Sequence, residues 1–270
     1  CRASAWVSFF AQRPKETEAY LDQIDELIAT CRVPAEDRNY AAGSVIGLRA
    51  WVSYATGNIE HAIALCQQAL AMIESDQLAW RGLVTLFLAS ALREQGATAR
   101  SVAVAQDGIT MSRAAGNLSA GLGAVYHLVE AYRLLGQLHK SQAAVEDALA
   151  FADSHNAGRA QDVGYVLVAE AELRYERNEF DVSQEALDRC ADITRWLSTK
   201  SMVPANICQA QIYIARGQAE LAHEALIIAQ RELRSWEAEQ EVAHIAAQIA
   251  SLQLSLGESA AVQQWQNQYR

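Results

Sequence analysis

The residues best able to bind a metal or move a proton in this chain are its histidines, His61, His127, His139, His155, His223 and His244. His127 precedes Glu130 and His223 precedes Glu224. The metalloprotease pattern of two histidines four apart is nevertheless not completed, because Ile227 occupies its last position. The histidines are spread along the chain without ligand spacing, so they read as polar residues on helix surfaces, and no metal is expected. Gly121-Leu122-Gly123 lacks both the preceding strand and the third glycine of a dinucleotide loop, and reads as close helix packing. No Gly-x-Ser-x-Gly occurs, and no serine, histidine and acid are grouped as a nucleophile requires. Neither catalysis nor a cofactor is expected. What remains is recognition. Tyr126, Glu130 and Arg133 stand at i, i+4 and i+7, which places a ring and paired charge on one helical face. A ring with Arg and Glu can stack on a small polar ligand and fix its hydroxyls or carboxylate. Glu130 and Arg133 can equally pair with each other, a surface contact contributing at most about 1 kcal/mol.

The elements that must carry these residues follow from a repeat. Small polar turns separate apolar runs at Gly57-Asn58, Gly96-Ala97, Gly136-Gln137, Asn178-Glu179, Gly217-Gln218 and Gly257-Glu258. Their separations are 39, 40, 42, 39 and 40 residues. A fixed period in that range is the signature of a stacked array of helix pairs. In each unit a helix A ends at the turn and a helix B begins just after it. Seven residues before the turns stand Ala50, Ala89, Val129, Ala171, Ala210 and Ala250. Helix B carries small residues where it must approach helix A: Ala62 and Ala69, Ser141 and Ala148, Ala222 and Ala229. The pairs are expected at 41–56/59–74, 78–95/98–115, 118–135/138–154, 160–176/179–197, 203–216/218–235 and 240–256/258–270. A helix near 15–31 belongs to an incomplete N-terminal repeat over 1–40. Pro34 and Pro204 fall in expected breaks and Pro14 at a helix start. The whole chain, 1–270, reads as one continuous domain.

Composition agrees and excludes several classes. The hydrophobic fraction is 51%, ample for a buried core, and the formal charge is −10. A phosphate-binding surface wants the opposite sign, so direct nucleic-acid binding by this chain is not expected. The five cysteines, at Cys1, Cys31, Cys66, Cys190 and Cys208, are odd in number and widely spaced. Cys66 and Cys190 fall on apolar helix faces and read as small core residues in a reducing cytoplasm. The longest apolar stretch, Leu78 to Leu92, contains Arg81 and is shorter than a membrane span, so it reads as a buried helix. The chain opens at Cys1 without Met, which suggests a piece of something longer.

Glycine before helix B, alanine about five residues later and Ala-Leu about twelve on resemble tetratricopeptide repeats, whose usual period is about 34 residues. The lengthened unit and its wording narrow the resemblance. Leu83-Val84-Thr85-Leu86-Phe87-Leu88-Ala89-Ser90-Ala91-Leu92, Ala114-Ala115-Gly116-Asn117 and Gly136-Gln137-Leu138-His139-Lys140-Ser141 carry it. So do Tyr175-Glu176-Arg177-Asn178-Glu179-Phe180-Asp181 and Ala215-Arg216-Gly217-Gln218-Ala219-Glu220-Leu221-Ala222. Together they are similar to the superhelical sensor region of large ATP-dependent LuxR-type transcription activators, the MalT-type group. The resemblance implies an all-α, right-handed superhelix of about six helix pairs. It also implies a bacterial regulator in which an ATPase module precedes the superhelix and a DNA-binding helix-turn-helix follows it. This chain contains neither a phosphate loop nor a basic recognition helix.

Tetratricopeptide geometry places the inward positions of helix A about 10, 6 and 3 residues before each turn. Those positions supply the candidate ligand-binding face: Trp51, Tyr54, Arg93, Tyr126, Glu130, Arg133, Glu172 and Tyr175. Tyr132, Tyr213, Trp80, Trp196, Trp236 and Trp265 read as packing residues. The expected role is to sense a small-molecule effector or regulatory protein and relay the signal to the flanking modules. The alternative is a plain interaction scaffold that holds a peptide or protein partner in its groove. No membrane association is expected.

Overall fold

The computed structural model describes residues 2–10, 13–30, 35–194, 202–234, 236 and 239–269. Among these residues the chain is all-α, with no strand. In order the helices are α1 (Arg2–Phe10), α2 (Pro14–Thr30), α3 (Ala35–Ala55), α4 (Ile59–Met72), α5 (Leu78–Glu94), α6 (Thr98–Ala114) and α7 (Leu118–Leu134). They continue as α8 (Leu138–Ser154), α9 (Val163–Glu176), α10 (Phe180–Thr194), α11 (Met202–Ala215), α12 (Ala219–Leu233), α13 (Glu239–Ser255) and α14 (Ser259–Tyr269). From α3 onward their order along the sequence follows the six expected helix–turn–helix units, and contacts pair α3 with α4, α5 with α6, α9 with α10 and α11 with α12. Two elements differ from the expectation: α1 is an additional helix, and α3 begins at Ala35 instead of near residue 41. Pro14 opens α2. Pro204 lies in the first turn of α11, not in a break; an amide there has no intrahelical acceptor, so proline loses nothing. Cys1, Cys31, Pro34 and Trp196 lie outside the described residues.

The turn between A and B is one structure repeated. Gly57, Gly96, Gly136, Gly217 and Gly257 have φ of 89°, 86°, 68°, 70° and 89°, and Asn178 takes the same left-handed conformation at 59°. The residue after each donates its amide to a carbonyl five residues back, as in Asn58 to Ser53, Ala97 to Leu92 and Gln137 to Tyr132, each at 2.8 Å. This is the Schellman closure, and glycine meets its left-handed requirement without a Cβ penalty. At Gly57-Asn58 the next residue also starts helix B, the Asn58 side chain accepting from the His61 amide at 3.3 Å.

Backbone contacts divide the chain into two compact units. The first contains Cys1–Gln137, and the second is built from Leu138–Trp236 and Gln240–Arg270. Within each, backbones pack against partners one or two places along the chain, as α5 does with α3, α4, α6 and α7, or α9 with α8, α10 and α11, while α1 reaches further and sets Trp6 on Trp80 at 5.2 Å and Phe9 on Phe87 at 5.7 Å. The small residues sit where the repeat puts them. Ala50, Ala89, Val129, Ala171 and Ala210 are fully buried and Ala250 is 5% exposed, while Ala69, Ser141, Ala148, Ala222 and Ala229 are fully buried on helix B. Their short side chains let helices A and B close together. Gly47 shows the tolerance: a Cβ there would stand 2.7 Å from Val84 Cγ2. Arg81, inside the longest apolar stretch, donates Nη1 to the carbonyls of Leu70 and Ile73 at 2.8 and 2.7 Å, satisfying the end of α4. No helix among the described residues is long and apolar enough to cross a membrane.

Candidate functional site

Three consecutive A helices of the first unit, α3, α5 and α7, bring Tyr54, Arg93, Tyr126, Glu130 and Arg133 into one neighbourhood. The centre is Arg93, in the last turn of α5. Its side chain is 18% exposed and donates Nη2 to Glu94 Oε1 at 2.9 Å. Burial alone pulls the guanidinium pKa down. The facing Tyr54, Glu94, Tyr126 and Glu130 outweigh burial and hold it above the ordinary arginine value. Glu130 pairs with Arg133 one turn on, and both are largely buried at 19% and 17% side-chain exposure. The mutual pairing open to these two residues from their spacing is thus present, and enclosure raises its strength above that of an exposed contact.

His127 belongs to the same neighbourhood. Its ring meets Tyr126 edge-on with centroids 5.5 Å apart. Its Nδ1 is buried without a hydrogen-bond partner. Burial, and then the charge on Arg93, push the imidazole down to about 3, so it is neutral at physiological pH. It is therefore not the surface histidine that the sequence alone suggests. Position could have revealed it: nine residues before four of the five other turns stand Leu48, Phe87, Ala169 and Cys208, all buried, the exception being the exposed Gln248 of the last repeat. His61, His139, His155 and His244 are exposed, as expected, and His223 is part-exposed and contacts Glu258 at 2.6 Å. Among the described residues no group of histidines, cysteines and carboxylates could hold a metal ion.

The remaining candidates lie elsewhere. Trp51 is 6% exposed and sits in the core of the first unit, edge-on to Phe9 at 4.8 Å, instead of lining an open face. Trp80 is likewise core, at 8% exposure, and Tyr132 is 6% exposed, accepting from Gln106 Nε2 at 2.9 Å. Glu172 and Tyr175 belong to α9 in the second unit, where Tyr175 stacks at a tilt on Phe180, centroids 5.7 Å apart. An ion network lies in the same unit. Arg174 contacts Glu179 at 2.7 Å and Glu170 at 3.9 Å, and Arg189 reaches Glu170 at 3.7 Å. Here charge is matched by charge, the arrangement of an ion-pair network that holds helices together.

The geometry offers rings, guanidinium groups and carboxylates at a helix face. Comparison with known proteins bears on what such a face serves. The family model described as the MalT-like TPR region matches residues 43–270. No curated protein matches the sequence. Among solved structures, a Rap protein complexed with Competence and Sporulation Factor superposes with a TM-score of 0.71 at 12% identity, over 98% of this chain and 71% of that one. The Rap conjugation gene regulator of plasmid pLS20, in complex with the Phr* peptide, gives 0.71 at 12% identity over 98% and 73%. The apo form of RapI gives 0.66 at 10% identity over 98% and 93%. At these identities the likeness is one of fold: a tetratricopeptide-like array of helix pairs.

Proposed function

The chain belongs to the MalT-like TPR region family, and from that premise we propose that it is the effector-sensing and signal-relaying part of a bacterial LuxR-type transcription activator. The family match over residues 43–270 is the observation that carries this reading. The face formed by Tyr54, Arg93, Tyr126, Glu130 and Arg133 supplies the ligand chemistry. An effector that binds one arrangement of the array better than another biases the equilibrium between them by its differential affinity. Flanking ATPase and DNA-binding modules, in a longer cytoplasmic protein, read out that bias as self-assembly and promoter binding. In this scheme the chain itself does no catalysis and touches neither DNA nor membrane.

A thermal-shift screen of the chain against sugars, organic acids and aromatic metabolites tests the proposal. A compound that binds only the folded state adds about 2.7 kcal/mol of stability at 100 times its dissociation constant. A hit that disappears in Tyr126→Ala and Arg133→Ala supports an effector on this face. A hit unaffected by both keeps the sensor and moves the site. The coding sequence on either side supplies the second test, since a phosphate loop upstream and a helix-turn-helix downstream are required.

A second reading has its own support. Two of the similar Rap structures hold a peptide or signalling factor. On that reading the array is an interaction scaffold for a peptide or protein partner, with Glu172 and Tyr175 of the second unit available to it. Pull-down with the intact chain separates the two readings: a stoichiometric protein partner and a silent metabolite screen favour the scaffold.

A further inference from the structure

We propose that Arg93 is a receptor for a carboxylate, so that the ligand of this face is an organic acid or the C-terminus of a peptide. The inference rests on the reading of this face as ligand-binding and names the chemistry it selects.

The argument starts from how little Arg93 is satisfied. A guanidinium carries five N–H donors and no acceptor. Among the described residues Arg93 makes one hydrogen bond, to Glu94, although its side chain is only 18% exposed. Its Nε is buried without any acceptor. The comparison within this molecule is Arg49, which is more exposed at 24% yet reaches Glu18 at 2.7 Å, Asp22 at 2.5 Å and also Asp25. Arg174, at 18% exposure, also leaves its Nε without an acceptor, but its terminal nitrogens reach two carboxylates, Glu170 and Glu179, where Arg93 has only Glu94. The facing acidic groups stabilise the charge, yet most of the N–H donors, Nε among them, stay without an acceptor, and a group that supplies acceptors in the guanidinium plane is favoured there.

The nearby groups do not fill the need. Glu130 hydrogen-bonds to Arg133, and Glu94 lies toward solvent at 32% exposure. His127 is neutral and brings no charge to Arg93. Tyr54 and Tyr126 face the guanidinium, and their rings suit a planar ligand stacked beside it. The position three residues before the turn reads Tyr54, Arg93, Arg133, Tyr175 and Ile214 across successive repeats, so the cations occur in the first unit only. A carboxylate matches the guanidinium fork in plane and spacing. Glu94 and Glu130 disfavour a dianionic phosphate more than a singly charged carboxylate.

The test uses the 270-residue chain labelled with 15N-arginine, titrated with 4-hydroxybenzoate and with the tripeptide Ala-Ala-Phe as free acid and as C-terminal amide. The expected result is movement of the Arg93 Nε–Hε resonance, assigned by its loss in Arg93→Lys, with a free acid but not with the amide. Affinity in Arg93→Gln falls about tenfold or more, while Arg231→Gln, on an exposed side chain, leaves it unchanged. Response to 4-hydroxybenzoate alone assigns a small organic acid, and response to the tripeptide acid alone assigns a peptide terminus. No movement with either acid overturns the proposal, as does equal binding of acid and amide. If Arg93→Gln loses its helical circular dichroism, the resonance titration of the unaltered chain decides by itself. Failure here leaves the sensing role to be judged by the sugars and neutral aromatics of the thermal-shift screen.

Discussion

The hydroxyl of Ser101, fully buried in α6, donates to the carbonyl oxygen of Ala89 in α5 at 2.7 Å. Ser183 repeats the bond to Ala171 at 2.6 Å with the same twelve-residue offset. In both cases helix B is tied to helix A at the alanine seven residues before the turn. Two of the equivalent positions in other repeats are Ala62 and Ala222, which close the same gap without a side-chain hydroxyl. Ser101→Ala therefore loses only a net hydrogen bond, about 1 kcal/mol. Ser101→Leu overfills the gap and costs about 1–3 kcal/mol. Urea unfolding of the two variants gives the order directly, and a Leu variant as stable as the Ala variant contradicts the close packing.

Trp51 is expected to matter for stability and not for selectivity. Its ring lies against Phe9 in the core, so Trp51→Ala should destabilise the first unit by about 3–5 kcal/mol. Any ligand found for the Arg93 face should bind a Trp51→Phe variant almost unchanged. Calorimetric unfolding and a binding titration check the two halves.

His127 makes the fold acid-sensitive. Its folded pKa, near 3, lies below the ordinary 6.5, so the unfolded chain takes up the proton first. The stabilising difference is complete above pH 6.5 and is lost as pH falls toward 3, by up to about 1.4 kcal/mol per pH unit. His127→Phe, which copies the buried Phe87 of the equivalent position, removes that part of the slope. Comparing unfolding free energies of the two proteins from pH 4 to 7 isolates the histidine, and parallel curves would refute its burial.

The thiols of Cys66, Cys190 and Cys208 are all buried. Burial pushes Cys66 up to about 12 from an ordinary 9.0, which cuts its thiolate fraction at neutral pH by about three orders of magnitude. A disulfide reagent should leave these three cysteines unlabelled in the folded protein and label all of them in guanidinium. Peptide mass mapping reads the result; rapid native labelling of Cys66 would show that the α4 face is open.

Much of this was legible because the turns are chemically strict. Only glycine or asparagine settles easily into the left-handed position, so Gly57 through Gly257 kept the register of six helix pairs and of the alanines counted back from them. That register also led to Tyr54, Arg93, Tyr126 and Glu130, which meet in the first unit. It failed where burial departs from residue type. His127 is polar at a position four of the other repeats fill with buried apolar residues, and Trp51, assigned to the face, turns into the core because α1 supplies Phe9 to cover it. Helix α1 has no repeat partner in the pattern to announce it. Hydrogen-bond satisfaction, on which the distinction between Arg49 and Arg93 depends, is a property of three dimensions and leaves no trace in spacing.

The largely near-neighbour helix contacts within each unit bear on how quickly the chain can find its structure. Apart from α1, whose Trp6 and Phe9 pack on α5, the described helices gain their backbone packing from near neighbours, so the entropy of closing long loops is paid mostly in small steps. Any adjacent pair can nucleate, and growth proceeds from it in either direction. The same locality means that opening at one end need not propagate, so amide exchange should fade gradually along each unit instead of appearing as a single cooperative block.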